Sequence, residues 1–400
     1  MAINSMSFTQ SATLLNAVLE QMTGTSSLAP VDESEFVAVA STVLQTGYDQ
    51  LNKAISQVLT RSIYAARAYN PIYPSIMRDS QVWGGIVRKV TVLDLDFIDD
   101  EAFKIADGNG ISDCDPFLVN KQKAVQFNFY GGNIKELVVT TTEDQLRQAF
   151  ISSADFGSFM AAQSQNLINQ LNQKIEAESR ITVNNMIMAA CYEGGSRVIH
   201  LFSEYQQDTG NTTIDITNYL SAAEFEPFAK WMYGRLNTLK DYMKERTSKF
   251  HANITTYNGA ALSKPIMRHT PEENLNIFML SPFMNQVDSS ALSGIYNTQF
   301  LSIGGFERVN YWQSIESPDT VQGKANIMDV DGTCYTTDDP VTCAGVIGVL
   351  FDDEALGITV IDEGVRSIEN PRGRYFNNWY NWTARWYNDQ TENFVVLCLD

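Results

Sequence analysis

The chain is poor in histidine and cysteine, lacks any long apolar run and carries too little positive charge to balance its acids. Each shortage removes a class of function. Of 400 residues only three are histidines, His200, His251 and His269, and none stands in an H-E-x-x-H or comparable ligand spacing, so no histidine-based metal or proton-transfer centre is expected. The five cysteines, Cys114, Cys191, Cys334, Cys343 and Cys398, are odd in number, widely spaced and free of C-x-x-C pairs. They read as reduced thiols, with a Cys334–Cys343 loop bridge as the minor alternative. The opening MAINSMSFTQSATLL has no basic, apolar and small-residue succession of a secretory signal. No stretch reaches the roughly 18–20 apolar positions of a membrane helix, so a soluble protein is expected. With 28 basic against 47 acidic residues the formal charge is -19, which opposes attraction to phosphate and argues against specific nucleic-acid recognition.

Catalytic signatures are equally sparse. There is no G-x-S-x-G, no S-x-x-K of the β-lactamase kind and no recognised cysteine-nucleophile sequence. The glycine pairs beginning at Gly84, Gly131, Gly194 and Gly304 match no phosphate-cradling pattern and mark turns. In DGNGISDCD (Asp107 to Asp115) the EF-hand register fails: with Gly110 as the loop glycine, Ile105 and Pro116 fall where acidic ligands are required. DVDG at Asp329 to Gly332, with Asp338 and Asp339 beyond, leaves a surface ion as an open question. The acidic pairs Glu272/Glu273 and Asp352/Asp353 read as solvated loop charge. No catalytic residue, metal site or cofactor is assigned. The aromatic run NWYNWTARWY suggests a stacking platform for sugars or single-stranded nucleic acid, but only Arg385 supplies the interleaved positive charge. Burial is the favoured fate of these rings, and aromatics on both faces of the strand imply cover on both.

What is present is a periodic pattern that changes along the chain. At 44% hydrophobic content the chain can bury a sizeable core in two or three folded units. Residues 1 to about 70 are polar, with helical stretches near Thr9 to Met22 and from Glu33 to about Arg67, stopped by Asn70-Pro71 and Tyr73-Pro74. From Gln81 the period becomes two. Val87 to Phe97 and Ala124 to Tyr130 predict a long antiparallel hairpin with few residues to cover it, whose edges and whose Phe127 and Phe129 look for partners elsewhere. The spacing of Phe156, Met160, Leu167, Leu171 and Ile175 predicts a long helix between about Glu143 and Cys191, amide-rich on its other face and closed by Gly194-Gly195. Gly157 is a possible break near its start. Residues 198 to about 345 read as a compact α+β region. Its clearest helix runs from Glu226 to Thr247 with Pro227 in the first turn, and the apolar strand Leu275 to Leu280 leads into a helix from Ser281 to about Leu292. The stretch from Val346 to Asp400 is strand-rich.

Asn370-Pro371-Arg372-Gly373, followed by Tyr375, Asn377 and Tyr380, resembles the corresponding C-terminal segment in major capsid proteins of short-tailed, podovirus-like tailed bacteriophages. The order of elements agrees over nearly the whole chain. The resemblance implies an α+β Hong Kong 97-type capsid fold. Residues 1–75 would be an N-terminal arm, 76–135 an extended loop, 136–197 and 346–400 a peripheral domain with a long spine helix, and 198–345 an axial domain. It implies no enzyme but a structural virion protein: a subunit assembling with itself, as pentamers and hexamers, into an icosahedral shell around double-stranded DNA. Assembly is expected in the host bacterial cytoplasm, with a separate scaffolding protein and a portal, and without a membrane. The acidic charge suits a wall that encloses nucleic acid without adhering to it. The residues expected at inter-subunit contacts are Trp83, Arg88, Lys89, Phe127 and Phe129, with Arg372 and Arg374 either there or bridging acids within the fold. The competing classes are an encapsulin-like cellular shell, and a soluble enzyme or glycan-binding module using the aromatic segment.

Overall fold

A computed structural model of the chain describes residues 73–78, 87–95, 122–129, 133–142, 145, 153–262, 264–289, 305–370 and 372–399. The two N-terminal helices, Trp83 and the Asp107 to Asp115 loop expected above lie outside the described residues. In chain order the elements are β1 (Met77–Arg78), β2 (Val87–Val92), β3 (Ala124–Phe129), β4 (Asn133–Thr142) and α1 (Ser153–Glu193). They continue with β5 (Val198–His200), α2 (Leu201–Thr209), α3 (Ala222–Lys244), β6 (Leu275–Leu280), α4 (Ser281–Ser289) and β7 (Gly305–Val309). The last four are β8 (Val346–Asp352), β9 (Leu356–Asn370), β10 (Tyr375–Asn388) and β11 (Phe394–Cys398). Short two-stranded pairings, Val321–Gly323 with Val341–Cys343 and Asn326–Met328 with Cys334–Thr336, fill the interval between β7 and β8.

The chain divides into two compact units. The first comprises Met1–Trp83, Gly132–Ile181 and Gly357–Trp386, and its sheet has the order β1-β9-β10-β4. β10 and β4 are antiparallel over ten residue pairs, from Tyr375↔Thr142 to Ala384↔Asn133. The helical part of this unit comes from α1, in which Gly157 makes no break. Leu167 and Ile175 are buried, and Ile175 packs with Leu171 against Trp382, Ala384 and Trp386 of β10. Each such side chain removed from water contributes about 1.5–3 kcal/mol. α1 ends where Gly194 and Gly195 take φ of 65 and 66, a left-handed turn that residues with a Cβ adopt only at a cost.

No residue of β10 is exposed: Phe376, Asn378, Trp382 and Ala384 are buried on one face, and Tyr375, Asn377, Trp379, Asn381 and Thr383 are half-buried on the other, so the second face is covered in part.

The second unit comprises Gly84–Gly131, Thr182–Leu356 and Tyr387–Asp400. Its mixed sheet has the order β5-β11-β8-β6-β7. β8, β11 and β6 are buried at every residue, so they read as continuous apolar runs rather than alternating ones. One side of the core joins Phe202, Tyr205, Phe228, Met232, Leu239, Met243 and Phe283 from α2, α3 and α4 to Ile277, Met279 and Leu397. On these strands Phe278, Phe351 and Phe394 form a chain of rings with centroids 4.8 and 6.1 Å apart. The stretch 346–400, expected as one piece with residues 136–197, is divided between the two units, because β8 and β11 pair with β6 and β5 rather than with β10. α3 also starts earlier than its proline suggested. Ser221 takes the extended N-cap conformation, Phe225 is buried, and Pro227 sits inside the helix at the expense of one backbone hydrogen bond.

Candidate functional site

The described part of the hairpin, β2 and β3, pairs antiparallel from Val87↔Phe129 to Val92↔Ala124. Residues directly opposite share a face, so Lys89, Thr91, Val125 and Phe127 point one way and Arg88, Val90, Gln126 and Asn128 the other. The first face is covered by the chain's own second unit, which corrects the expectation of an uncovered ribbon. Leu93 and Val125 are buried in a cluster with Ala252, Ile254, Ile266 and Met328, and Phe127 packs at its edge beside Tyr257 and Leu262. Phe129 stacks obliquely on Tyr387 with centroids 5.4 Å apart.

The polar counterpart of this cluster is the loop between β10 and β11. Its residues Asp389, Gln390, Thr391, Glu392 and Asn393 are all buried despite their polarity. Buried polar groups persist only when paired. Gln390 accepts from the Met328 amide at 3.0 Å and donates to the Asn326 carbonyl at 2.7 Å, and its own carbonyl accepts from the Ala252 amide at 2.8 Å. Asn393 donates to Thr270 Oγ1 at 3.0 Å. The ribbon enters this network through Lys89, whose Nζ lies 2.9 Å from Asp389 Oδ2 and 3.1 Å from Glu354 Oε2 and also contacts Glu392 Oε1. Arg268 bridges the two halves. Its Nε lies 3.1 Å from Glu392 Oε1 and donates to the Thr391 carbonyl at 3.0 Å, while its Nη2 donates to Thr91 Oγ1 at 2.8 Å. Farther along, Arg246 Nη2 reaches both oxygens of Asp94 at 2.9 and 3.0 Å.

Three carboxylates thus face two cations, and this imbalance sets the protonation. Burial opposes the charge on Lys89, but attraction to Asp389 and Glu392 outweighs it and raises its pKa. Burial likewise pushes Glu392 up, to about 7, against the pull of Lys89 and Arg268 and with help from Asp389. The two shifts point in opposite energetic senses, yet both hold if the cluster keeps its cations and retains one proton on its most desolvated acid.

Among the residues expected at contacts, Lys89, Phe127 and Phe129 are therefore brought together at the ribbon's root. Arg88 is exposed on the ribbon's other face, beside Val90 and Val92, which are 60% and 53% exposed. Arg372 and Arg374 are exposed at the β9–β10 turn. The residues of the capsid-like segment have local physical reasons. Asn370 Oδ1 accepts from the Gly373 amide at 3.0 Å and its Nδ2 donates to the Tyr375 hydroxyl at 2.9 Å. The Tyr375 ring lies so close over Gly373 that a Cβ there would collide with it, and Arg374 takes a φ of 50 to complete the turn. Sequence reasoning missed the buried loop Asp389–Asn393, because nothing in NDQTEN distinguishes a satisfied interior from a solvated turn. It also missed the pairing of Cys191 with Cys343, which corrects the reduced-thiol expectation for these two and the alternative Cys334–Cys343 bridge, while Cys334 and Cys398 stay outside any disulfide; a contact across 152 residues has no local signal.

The other chemical candidates are committed elsewhere. Glu272 pairs with Lys240 and Lys244 at 2.8 Å each, the buried Asp352 accepts from Thr270 Oγ1 at 2.7 Å, and Asp331 accepts from the Thr333 amide and hydroxyl. Among the described residues no group of three or more His, Cys, Asp and Glu side chains is placed to hold a metal.

The family model of the Phi29-like phage major capsid protein matches residues 14–398. Among solved structures, the chain resembles one in the capsid of Staphylococcus phage Andhra at 10% identity and a TM-score of 0.53, over 80% of this chain and 82% of that one. A chain in the structure of the head fiber and inner core protein gp22 of native bacteriophage P68 has 10% identity and a TM-score of 0.49 over 83% and 86%. For the Cyanophage Pam1 capsid asymmetric unit the values are 10% and 0.42 over 83% and 93%. No curated protein sequence matches the chain. At such identities the Andhra likeness is one of fold.

Proposed function

From the premise that the chain belongs to the Phi29-like phage major capsid protein family, and so forms the shell of a phage capsid, we propose that its ribbon is the element through which neighbouring subunits are joined. The fold is the mixed helix-and-sheet arrangement of Hong Kong 97-like phage capsid proteins. Neither a cellular compartment nor a glycan-binding or enzymatic module is supported. In our assignment Gly132–Ile181 and Gly357–Trp386 of the first unit correspond to the peripheral domain, α1 to its spine, Thr182–Leu356 and Tyr387–Asp400 of the second unit to the axial domain around pentamer and hexamer centres, and residues 1–75 to the arm. Assembly takes place in the host cytoplasm with a separate scaffolding protein and a portal as partners, and the subunit performs no catalysis.

The observation that carries this reading is the two-sidedness of the ribbon. One face is locked to its own body through Leu93, Val125, Lys89 and Phe127, while the other presents Val90 and Val92 to solvent beside Arg88. A rigidly mounted ribbon with an apolar outer stripe fits burial against a second subunit, since an exposed strand pair is otherwise an aggregation liability. Trp83, Arg88, Arg372 and Arg374 are proposed contacts at such surfaces, and Lys89, Phe127 and Phe129 act by fixing the ribbon's direction. The test is the double substitution Val90→Lys with Val92→Lys, followed by electron microscopy and sedimentation with a co-expressed scaffolding partner. Folded subunits that no longer close shells are expected; unchanged assembly refutes the role of the ribbon.

A further inference from the structure

We propose that Cys191 and Cys343 form a redox-timed brace within the subunit, held as two thiols while the shell is built in a reducing cytosol and joined as a disulfide once the particle has left it. Cys191 lies in the last turns of α1 and Cys343 ends the strand Val341–Cys343; the pair has a Cα–Cα distance of 6.3 Å, within the range a disulfide spans. Its sequence separation of 152 residues makes the bond a long-range tie between two parts of the second unit.

Contacts that do not need the bond bring the two sulfurs together. Asn184 Nδ2 donates to the Trp312 carbonyl at 2.9 Å, and Trp312 Nε1 donates to the Val346 carbonyl at 2.8 Å. Asn185 and Asn326 are joined in both directions, the Asn326 amide to Asn185 Oδ1 at 2.8 Å and Asn185 Nδ2 to the Asn326 carbonyl at 3.4 Å. The partner strand of Cys343 is Val321–Gly323, where Gly323 lies against Met188 of the same helix end. The helix terminus and the cysteine-bearing strand are therefore docked by amides and van der Waals contact, so oxidation is a local chemical step on a preformed fold. A cytosolic thiol pool keeps such a pair reduced, and an oxidising exterior does not.

The exposure of the two residues sets the order of reaction with a small disulfide such as oxidised glutathione. Cys191 is half-buried and Cys343 is 4% exposed, so the Cys191 thiolate attacks first, forming a mixed disulfide and releasing one glutathione thiolate. The Cys343 thiolate then attacks the Cys191 sulfur and releases the second. Two cysteine thiols are oxidised, one glutathione disulfide is reduced to two thiols, and the protons shed on forming the cysteine thiolates are returned to the two glutathione thiols. The timing rests on the reading of this chain as a shell subunit made inside a cell; the bond itself does not.

The test counts thiols in the full chain. Cells are lysed into N-ethylmaleimide, and the denatured protein should carry label on all five cysteines. After purified, unlabelled protein is exposed to oxidised glutathione near neutral pH, Cys191 and Cys343 should lose label together and appear as one cross-linked peptide in the mass spectrum, distinct from any glutathione adduct elsewhere. The oxidised form should melt roughly 5 °C above the reduced form, and Cys191→Ser, at the more exposed position, should remove that difference. Five labelled cysteines after oxidation, a different pairing, or no change in melting overturns the brace. Three labelled cysteines already at lysis overturns the timing. A chain that forms the bond and shows the melting shift but never assembles would instead refute the shell reading and leave the bond standing.

Discussion

Lys89, near the start of the ribbon, and Asp389, in the loop before the last strand, form a 2.9 Å ion pair in which the lysine side chain is 18% exposed and the aspartate 2%. Glu392 shares the same ammonium, so removing Lys89 leaves the buried Asp389 without a cation and Glu392 with Arg268 alone. Lys89→Met keeps the aliphatic stem and deletes only the charge, so it should cost about 3–5 kcal/mol at pH 8. The loss should be smaller at about pH 6, where Glu392 is protonated. Urea unfolding followed by tryptophan fluorescence at the two pH values checks this; equal midpoints for variant and wild type at pH 8 would show that the ribbon is not anchored here.

Glu392 should make the wild-type subunit lose stability with rising pH. Its pKa in the fold is raised to about 7 against an ordinary value of 4.5, so between those values the folded form holds a proton that the unfolded chain has released. Stability contributed by that proton is complete below about 4.5, declines as pH rises toward 7 and is gone above it. Glu392→Gln cannot ionise and should flatten this decline, being more stable than wild type at pH 8 by up to ~3 kcal/mol. Thermal unfolding from pH 5 to 8 is the measurement, and parallel profiles for the two proteins would count against the charge imbalance.

What could be read from the sequence was whatever a local period encodes. The alternation of Val87 to Val92 and Ala124 to Phe129 gave the ribbon, and Phe228, Met232, Leu239 and Met243 gave the buried stripe of α3. The same logic misjudged Pro227, because Ser221 and the buried Phe225 extend the helix past a residue that local rules place at its start. The ribbon's cover was illegible because it comes from Ala252, Ile254, Ile266 and Met328, far along the chain. The interior position of Asp389 to Asn393 was illegible for a related reason: Gln390 and Asn393 are paired with Met328, Asn326 and Thr270, partners that only the tertiary fold supplies.

Glu272 should govern part of the acid limb of the stability curve. Hydrogen bonds from Lys240 and Lys244 hold its carboxyl down to about 2, so its contribution is present above about 4.5 and is lost as pH falls toward 2. Glu272→Gln should lower stability at neutral pH and remove this component of acid denaturation. Circular dichroism melts between pH 2 and 7 would show it, and an unaltered acid limb would mean that the two lysines do not hold the carboxylate in solution.

The turn that carries the capsid-like segment can be dissected one group at a time. Gly373→Ala places a methyl where the Tyr375 ring lies, so the ring must leave its hydrogen bond to Asn370, and a cost of about 1–3 kcal/mol is expected. Asn370→Ala removes both the contact to the Gly373 amide and that to the Tyr375 hydroxyl, for about 1–2 kcal/mol. Tyr375→Phe loses only the second and should cost about 1 kcal/mol or less. The order of the three follows from geometry, since steric displacement of the ring also breaks the bond that the other two substitutions delete. Thermal unfolding of the three variants checks the order; a Gly373→Ala protein as stable as Tyr375→Phe would show that the ring does not cover the glycine.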